Sequence, residues 1–197
     1  MSEFWIYFEK GLRHILNLFA YDHILFLIAL TVPYAFKDWK RLLLLATIFT
    51  VGHTLALMLS VFGVIIIRGN LADFLIPITI LVIAFFNLFT AGKSSKQVSI
   101  SIIGFVTLFF GIIHGLGFAS YFKTILTGSP QSKLLPLSEF SLGIESSQII
   151  VVFIVLILSY IVQTFFRFSK RDWTLVMSSF VIGVVLPMIL QSEIWNK

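Results

Sequence analysis

The sequence contains no cysteine. Disulfides, thiolate-bound metals, iron–sulfur clusters and thiol nucleophiles are therefore excluded. Methionine is scarce, and its four residues (Met1, Met58, Met177 and Met188) are too dispersed for a soft-metal pathway. Charge is the third shortage. Asp, Glu, Lys and Arg make up 12% of the 197 residues, about half of what a soluble domain carries. Gly/Ser linkers, low-complexity tracts and internal repeats are also missing. No connector could house a soluble domain, so a single domain, 1–197, is expected, with its chemistry in or near a bilayer.

What the chain has in plenty is hydrocarbon: 58% of its residues are hydrophobic, and the mean hydropathy is +1.02. A membrane-crossing helix needs about 20 mostly apolar residues. Six stretches qualify, at roughly 15–36, 41–67, 71–91, 98–120, 136–166 and 173–194. Ahead of them, "SEFWIYFEKGLRHILN" mixes aromatics with Glu9, Lys10 and Arg13, the pattern of an amphipathic helix at the membrane interface. Glu3 and Glu9 stand where a secretory signal would be basic, and no A-x-A-like site precedes Tyr21. This segment is therefore expected to stay in the protein. The fold class is all-α, a polytopic membrane helix bundle of about six spans plus an interfacial helix.

Basic residues give the orientation. The connectors after the first, third and fifth spans hold Lys37, Lys40, Arg41, Lys93, Lys96, Arg167, Lys170 and Arg171, against two acids, Asp38 and Asp172. The other side holds Lys10, Arg13, Arg68, Lys123, Lys133 and Lys197, diluted by Glu3, Glu9, Asp73 and Glu193. By the positive-inside rule the first set is cytoplasmic and both termini lie outside. The net charge of +5 reflects those loops and does not call for a nucleic-acid partner.

An ionisable side chain at mid-bilayer costs about 2.5–3.5 kcal/mol on insertion scales and is a functional candidate by default. Here the set is short: His14 just before the first span, Asp22 and His23 within it, then His53, His114, Glu145 and Gln148 in the second, fourth and fifth. It includes all four histidines. Counting 1.5 Å per residue from each helix end brings four spans to one level in the outer half, with Asp73 at the outer end of the third. Nitrogen and oxygen donors without sulfur suit a borderline divalent ion such as Ni, Co, Zn, Fe or Mn. Glu145 and Gln148, at i and i+3, share a helix face. Asp22 and His23, about 100° apart on a helix, divide naturally into a ligand and a carboxylate that orients one. Gly115 and Gly117 beside His114 permit close helix approach, with the fifth span a candidate partner.

"GLRHILNLFAYDHILFLIAL", "FTVGHTLAL", "FFGIIHGLGFAS" and "FSLGIESSQ" resemble, in order and spacing, the HupE/UreJ family of bacterial membrane proteins. The resemblance implies six to seven membrane helices in the bacterial inner membrane and an association with nickel or cobalt handling. It places His14, Asp22, His23, His53, His114, Glu145 and Gln148 on motif positions, and Asp73 more loosely. "HTLAL" and "IESSQ" depart from the family's usual forms, and the link between His14 and Asp22 is longer.

Two functions follow from such a cluster. A permease would admit a divalent cation from outside, dehydrate it on His and carboxylate groups, and pass it inward. The inner half offers that path little beyond Thr47, Thr50, Ser99, Ser101, Thr107, Ser159 and Gln163. Alternatively, the protein keeps its metal, as a zinc-type hydrolase with Glu145 or Asp22 as base, or as a redox or assembly factor. Ser141, Ser146 and Ser147 form no G-x-S-x-G nucleophile motif. The expected partners are the lipid bilayer and a metal ion, with a second copy of the chain or a metalloenzyme-maturation protein as further candidates.

Overall fold

Among the described residues of the computed structural model (3–19, 21–65, 69–92, 100–126 and 133–195), helix is the only regular structure. The order is α1 (Glu3–Ile15), α2 (Asp22–Thr31), a 3-10 turn (Phe36–Asp38), α3 (Trp39–Val61), α4 (Gly69–Thr90), α5 (Ile100–Ile125), α6 (Leu134–Phe165) and α7 (Lys170–Leu190), followed by a second 3-10 turn (Glu193–Trp195). Five of these segments are long and apolar enough to cross a membrane: Phe36–Val61, Gly69–Thr90, Ile100–Ile125, Leu134–Phe165 and Lys170–Trp195. Of the basic residues used to orient the chain, Arg68, Lys93, Lys96 and Lys197 lie outside the described residues.

The remaining expected span, 15–36, is not one helix. Helix α1 stops at Ile15, and α2 begins at Asp22 and lasts 10 residues, about half a bilayer crossing. Asn17 accounts for the interruption. Its Oδ1 accepts the Phe19 N–H at 3.0 Å, the local side-chain turn by which Asn competes with helical bonding. Leu18 and Phe19 are left exposed there, at 77% and 97%. Helix α2 itself is central: seven of its ten residues are buried.

Glycines set the helix contacts. A Cβ on Gly11 of α1 would run into the Phe140 carbonyl of α6, and one on Gly143 into the Phe8 carbonyl of α1. This reciprocal contact brings the two backbones together and ties α1 to α6. Likewise α3 and α5 lie parallel and almost touching, with Gly52 over Leu108, Gly111 over Phe49 and Gly115 over His53. So the partner of the "HGLG" segment is α3, not the fifth span, α6. Gly117 faces elsewhere, towards Ile76 of α4. Helix α4 packs on α7 as well as on α2 and α5.

Capping is visible where the chain leaves the apolar layer. Ser169 accepts the Asp172 N–H at 3.1 Å and starts α7. Asp38 takes the Ala35 N–H at 3.1 Å before α3. Pro77 lies inside α4 and cannot donate to the carbonyl of residue 73 one turn back. That leaves the Asp73 main-chain oxygen without its helical partner.

Candidate metal centre

Four helices deliver imidazoles to one place. His14 comes from the end of α1, His23 from the start of α2, His53 from the middle of α3 and His114 from the middle of α5. Ring centroids stand 4.6 Å apart for His14–His23, 5.6 Å for His14–His53, 5.9 Å for His23–His53 and 5.0 Å for His23–His114. Asp22 joins them, its Oδ1 3.2 Å from His23 Nδ1. His23, His53 and His114 are buried, and His14 and Asp22 partly so.

The donor atoms form two triads, His14–His23–His53 and Asp22–His23–His114, with ligand atoms within 4.8 Å of one another in each. His14 Nε2, His23 Nε2, both ring nitrogens of His53 and His114 Nδ1 are shielded and make no hydrogen bond to any described residue. An unsatisfied buried polar group costs about 1–3 kcal/mol, so five such atoms in one spot fit a site built for a bound cation. Burial first, and the neighbouring His23 second, hold His14 well below the ordinary imidazole range. A neutral imidazole keeps the lone pair that coordination needs.

Hydrogen-bond counting fixes which nitrogens are free. The Thr79 hydroxyl on α4 stands 2.6 Å from the Ile76 carbonyl, which must take its only proton. Thr79 can then only accept from His114 Nε2, 3.2 Å away. The proton therefore sits on Nε2, and Nδ1, shielded and without a hydrogen bond to any described residue, carries the lone pair. Asp22, a carboxylate, can only accept from His23 Nδ1–H, which leaves the lone pair of that ring on Nε2.

A cleft of about 570 Å³ leads to the cluster, lined by His14, Asp22, His23 and His114, with Lys10 and Asp73 among its other walls. His53 lies behind it and is fully enclosed. Asp22 and Asp73 also border a second hollow, of about 250 Å³, beside Pro77. On the far side of the histidines a layer of phenyl rings closes the bundle. Phe26 lies 4.5 Å from Phe49 with the rings tilted by 30° and approaches Phe110 at 6.5 Å, and Phe26 and Phe49 lie 5.4 and 5.2 Å from His114. Each ring is about one turn from a histidine of its own helix. The sequence carried that signal as Phe49-x-x-x-His53 and Phe110-x-x-x-His114, diluted among 22 phenylalanines.

Glu145 stands apart from both triads. Its Oε1 is 2.6 Å from the Thr47 hydroxyl of α3, about 9 Å along that helix from His53 at 1.5 Å per residue. Its Oε2 is shielded and has no partner among the described residues. Gln148, one turn on, is fully buried with both amide atoms in the same condition. Gly115 lets α5 close on the His53 backbone, and Gly117 gives room to Ile76 beside the cleft. Thr79 had no signal in the sequence, because a threonine inside an apolar helix ordinarily bonds its own preceding turn.

A family model described as HupE / UreJ protein matches residues 1–192. No curated protein and no solved structure is matched.

Proposed function

The chain belongs to the HupE/UreJ family, and on that premise we propose that it is a permease for a divalent transition metal of the nickel or cobalt type. The observation that carries this reading is the convergence of His14, His23, His114 and Asp22 on an open cleft, with His53 enclosed behind them and five ring nitrogens without a hydrogen bond to any described residue. Asp73 and Asp22 draw a cation into the cleft. There, histidine nitrogens replace its water shell, a donor set suited to Ni, Co or Zn over Mg or Ca. Asp22 offsets part of the charge as the ion enters a medium where water screens it less. In a bacterial inner membrane with both termini outside, the cleft would face the exterior, and Glu145 with Gln148 would lie further along the inward path.

The phenyl layer of Phe26, Phe49 and Phe110 must part for an ion to continue. It supports a second reading, in which the metal stays and serves a hydrolytic or redox step. Proteoliposomes loaded from outside with nickel separate the two. A permease gives uptake that grows with time and scales with lumen volume. Uptake that stops at one ion per protein refutes transport and leaves retention.

A further inference from the structure

Three of the four glycines of α5, Gly104, Gly111 and Gly115, face α3, and Gly117 alone meets α4. In the half of the bundle around Gly104, α5 therefore presents bulky side chains to α4. A groove of about 180 Å³ opens there, walled by Val82 and Phe86 of α4 and by Ile102 and Val106 of α5. Val82 and Ile102 are 51% and 64% exposed on membrane-crossing helices, so the groove opens sideways to lipid. Its floor is the end of α2, where Pro33 has no N–H to return to the Ala29 carbonyl one turn back. Asn87 Nδ2 takes that place at 2.7 Å, which engages the buried amide with the main chain and leaves a lining that is chiefly hydrocarbon. Tyr34 also lines the groove, and the Arg41 guanidinium lies over its ring, 5.5 Å from the centroid. This is the end of the bundle where α3, α5 and α7 begin. It carries Lys37, Lys40, Arg41, Lys170 and Arg171 against Asp38 and Asp172.

We propose that this groove is a binding site for an anionic phospholipid, with one acyl chain lying between α4 and α5 and the phosphate meeting Arg41. The acyl methylenes supply the dispersion contacts that the separated helices do not give each other. A guanidinium is a planar fork of five N–H donors that matches phosphate oxygens and can face an aromatic ring at the same time. The excess of basic residues at this rim favours a headgroup with net negative charge over a zwitterionic one. The site is separate from the metal centre. Ala29 lies about one turn past Phe26, and Val106 about one turn before Phe110, on the side of the phenyl layer away from the histidines.

The test is lipid titration of full-length protein in detergent, read by native mass spectrometry, with phosphatidylglycerol and phosphatidylcholine of identical acyl chains as probes. Wild type is expected to hold phosphatidylglycerol about fivefold more tightly than phosphatidylcholine, the preference that one basic group confers on an anionic lipid. Arg41→Gln should bring the two Kd values together. Arg41→Lys keeps the charge, guards against a simple folding failure and should preserve the preference. Val82→Trp fills the groove from its exposed wall and should weaken phosphatidylglycerol binding about tenfold, the weight of nearly two buried methylenes. Phe105→Trp makes a similar change on the exposed face of α5 outside the groove and should leave binding unchanged. Equal Kd values for the two lipids on wild type, a preference that survives Arg41→Gln, or equal binding by the Val82→Trp and Phe105→Trp variants would overturn the site. A dimer mass that Val82→Trp abolishes would also overturn it, by assigning the groove to a second copy of the chain.

Discussion

Gly115→Ala tests the helix contact on which the whole centre depends. A Cβ at 115 would enter the space of the His53 carbonyl oxygen and lie 2.9 Å from the Ala56 Cβ. Neither obstacle can swing aside, since one is backbone and the other a methyl group fixed to it. Helices α3 and α5 would therefore separate, carrying His114 away from His53 and His23. Overpacking of this kind costs about 1–3 kcal/mol. For a chain of this size each kcal/mol lowers the unfolding midpoint by about 2–4 °C, so a drop of roughly 2–12 °C is expected. Gly117→Ala provides the control. Its obstacle is Ile76 Cδ1, 2.7 Å away, the flexible end of a side chain that can change rotamer. Thermal unfolding in detergent, followed by circular dichroism, with nickel content measured in parallel, should rank wild type and Gly117→Ala close together and Gly115→Ala well below. Equal midpoints and equal nickel for the two alanine variants would refute the argument that backbone contact sets this interface.

Three other expectations are independent of that one. In the His14→Ala/His53→Ala background, Thr79→Val removes the acceptor that fixes the His114 tautomer, and nickel Kd should rise about 10–100-fold while Thr79→Ser restores it; equal Kd values would show that the hydroxyl does not orient the ring. Glu145→Gln keeps a hydrogen bond to Thr47 and lies away from the triads, so nickel content should stay within about twofold of wild type, as distant sites act independently. Loss of nickel in that variant would place Glu145 in the coordination sphere after all. Ser169→Ala deletes the cap of α7 and should cost about 1 kcal/mol in stability without touching nickel content, a result read from the same melting and elemental measurements.

The histidines were legible in the sequence because apolar helices expose any polar interruption. His53 and His114 needed only hydropathy to be found. The face on which a residue lies was harder to read than its depth. Counting along the fifth span put Glu145 near the histidine level, yet its rotation about α6 turns it to Thr47. The first span misled for a different reason: residues 16–21 are nearly all apolar, so composition hides a break that one asparagine makes by bonding its own backbone. Helix pairing was equally silent, since Gly115 signals close approach without saying to which helix.

That break has a consequence for how the centre assembles. On an unbroken helix, His14 and His23 would be separated by about 13.5 Å along the axis. The break between α1 and α2 brings their rings to 4.6 Å apart. Half of the donor set is thus brought together by a loop of only a few residues, whose closure costs little chain entropy. His53 and His114 must wait for longer-range packing of α3 and α5. An ion held by His14 and His23 would therefore also favour the docking of those helices.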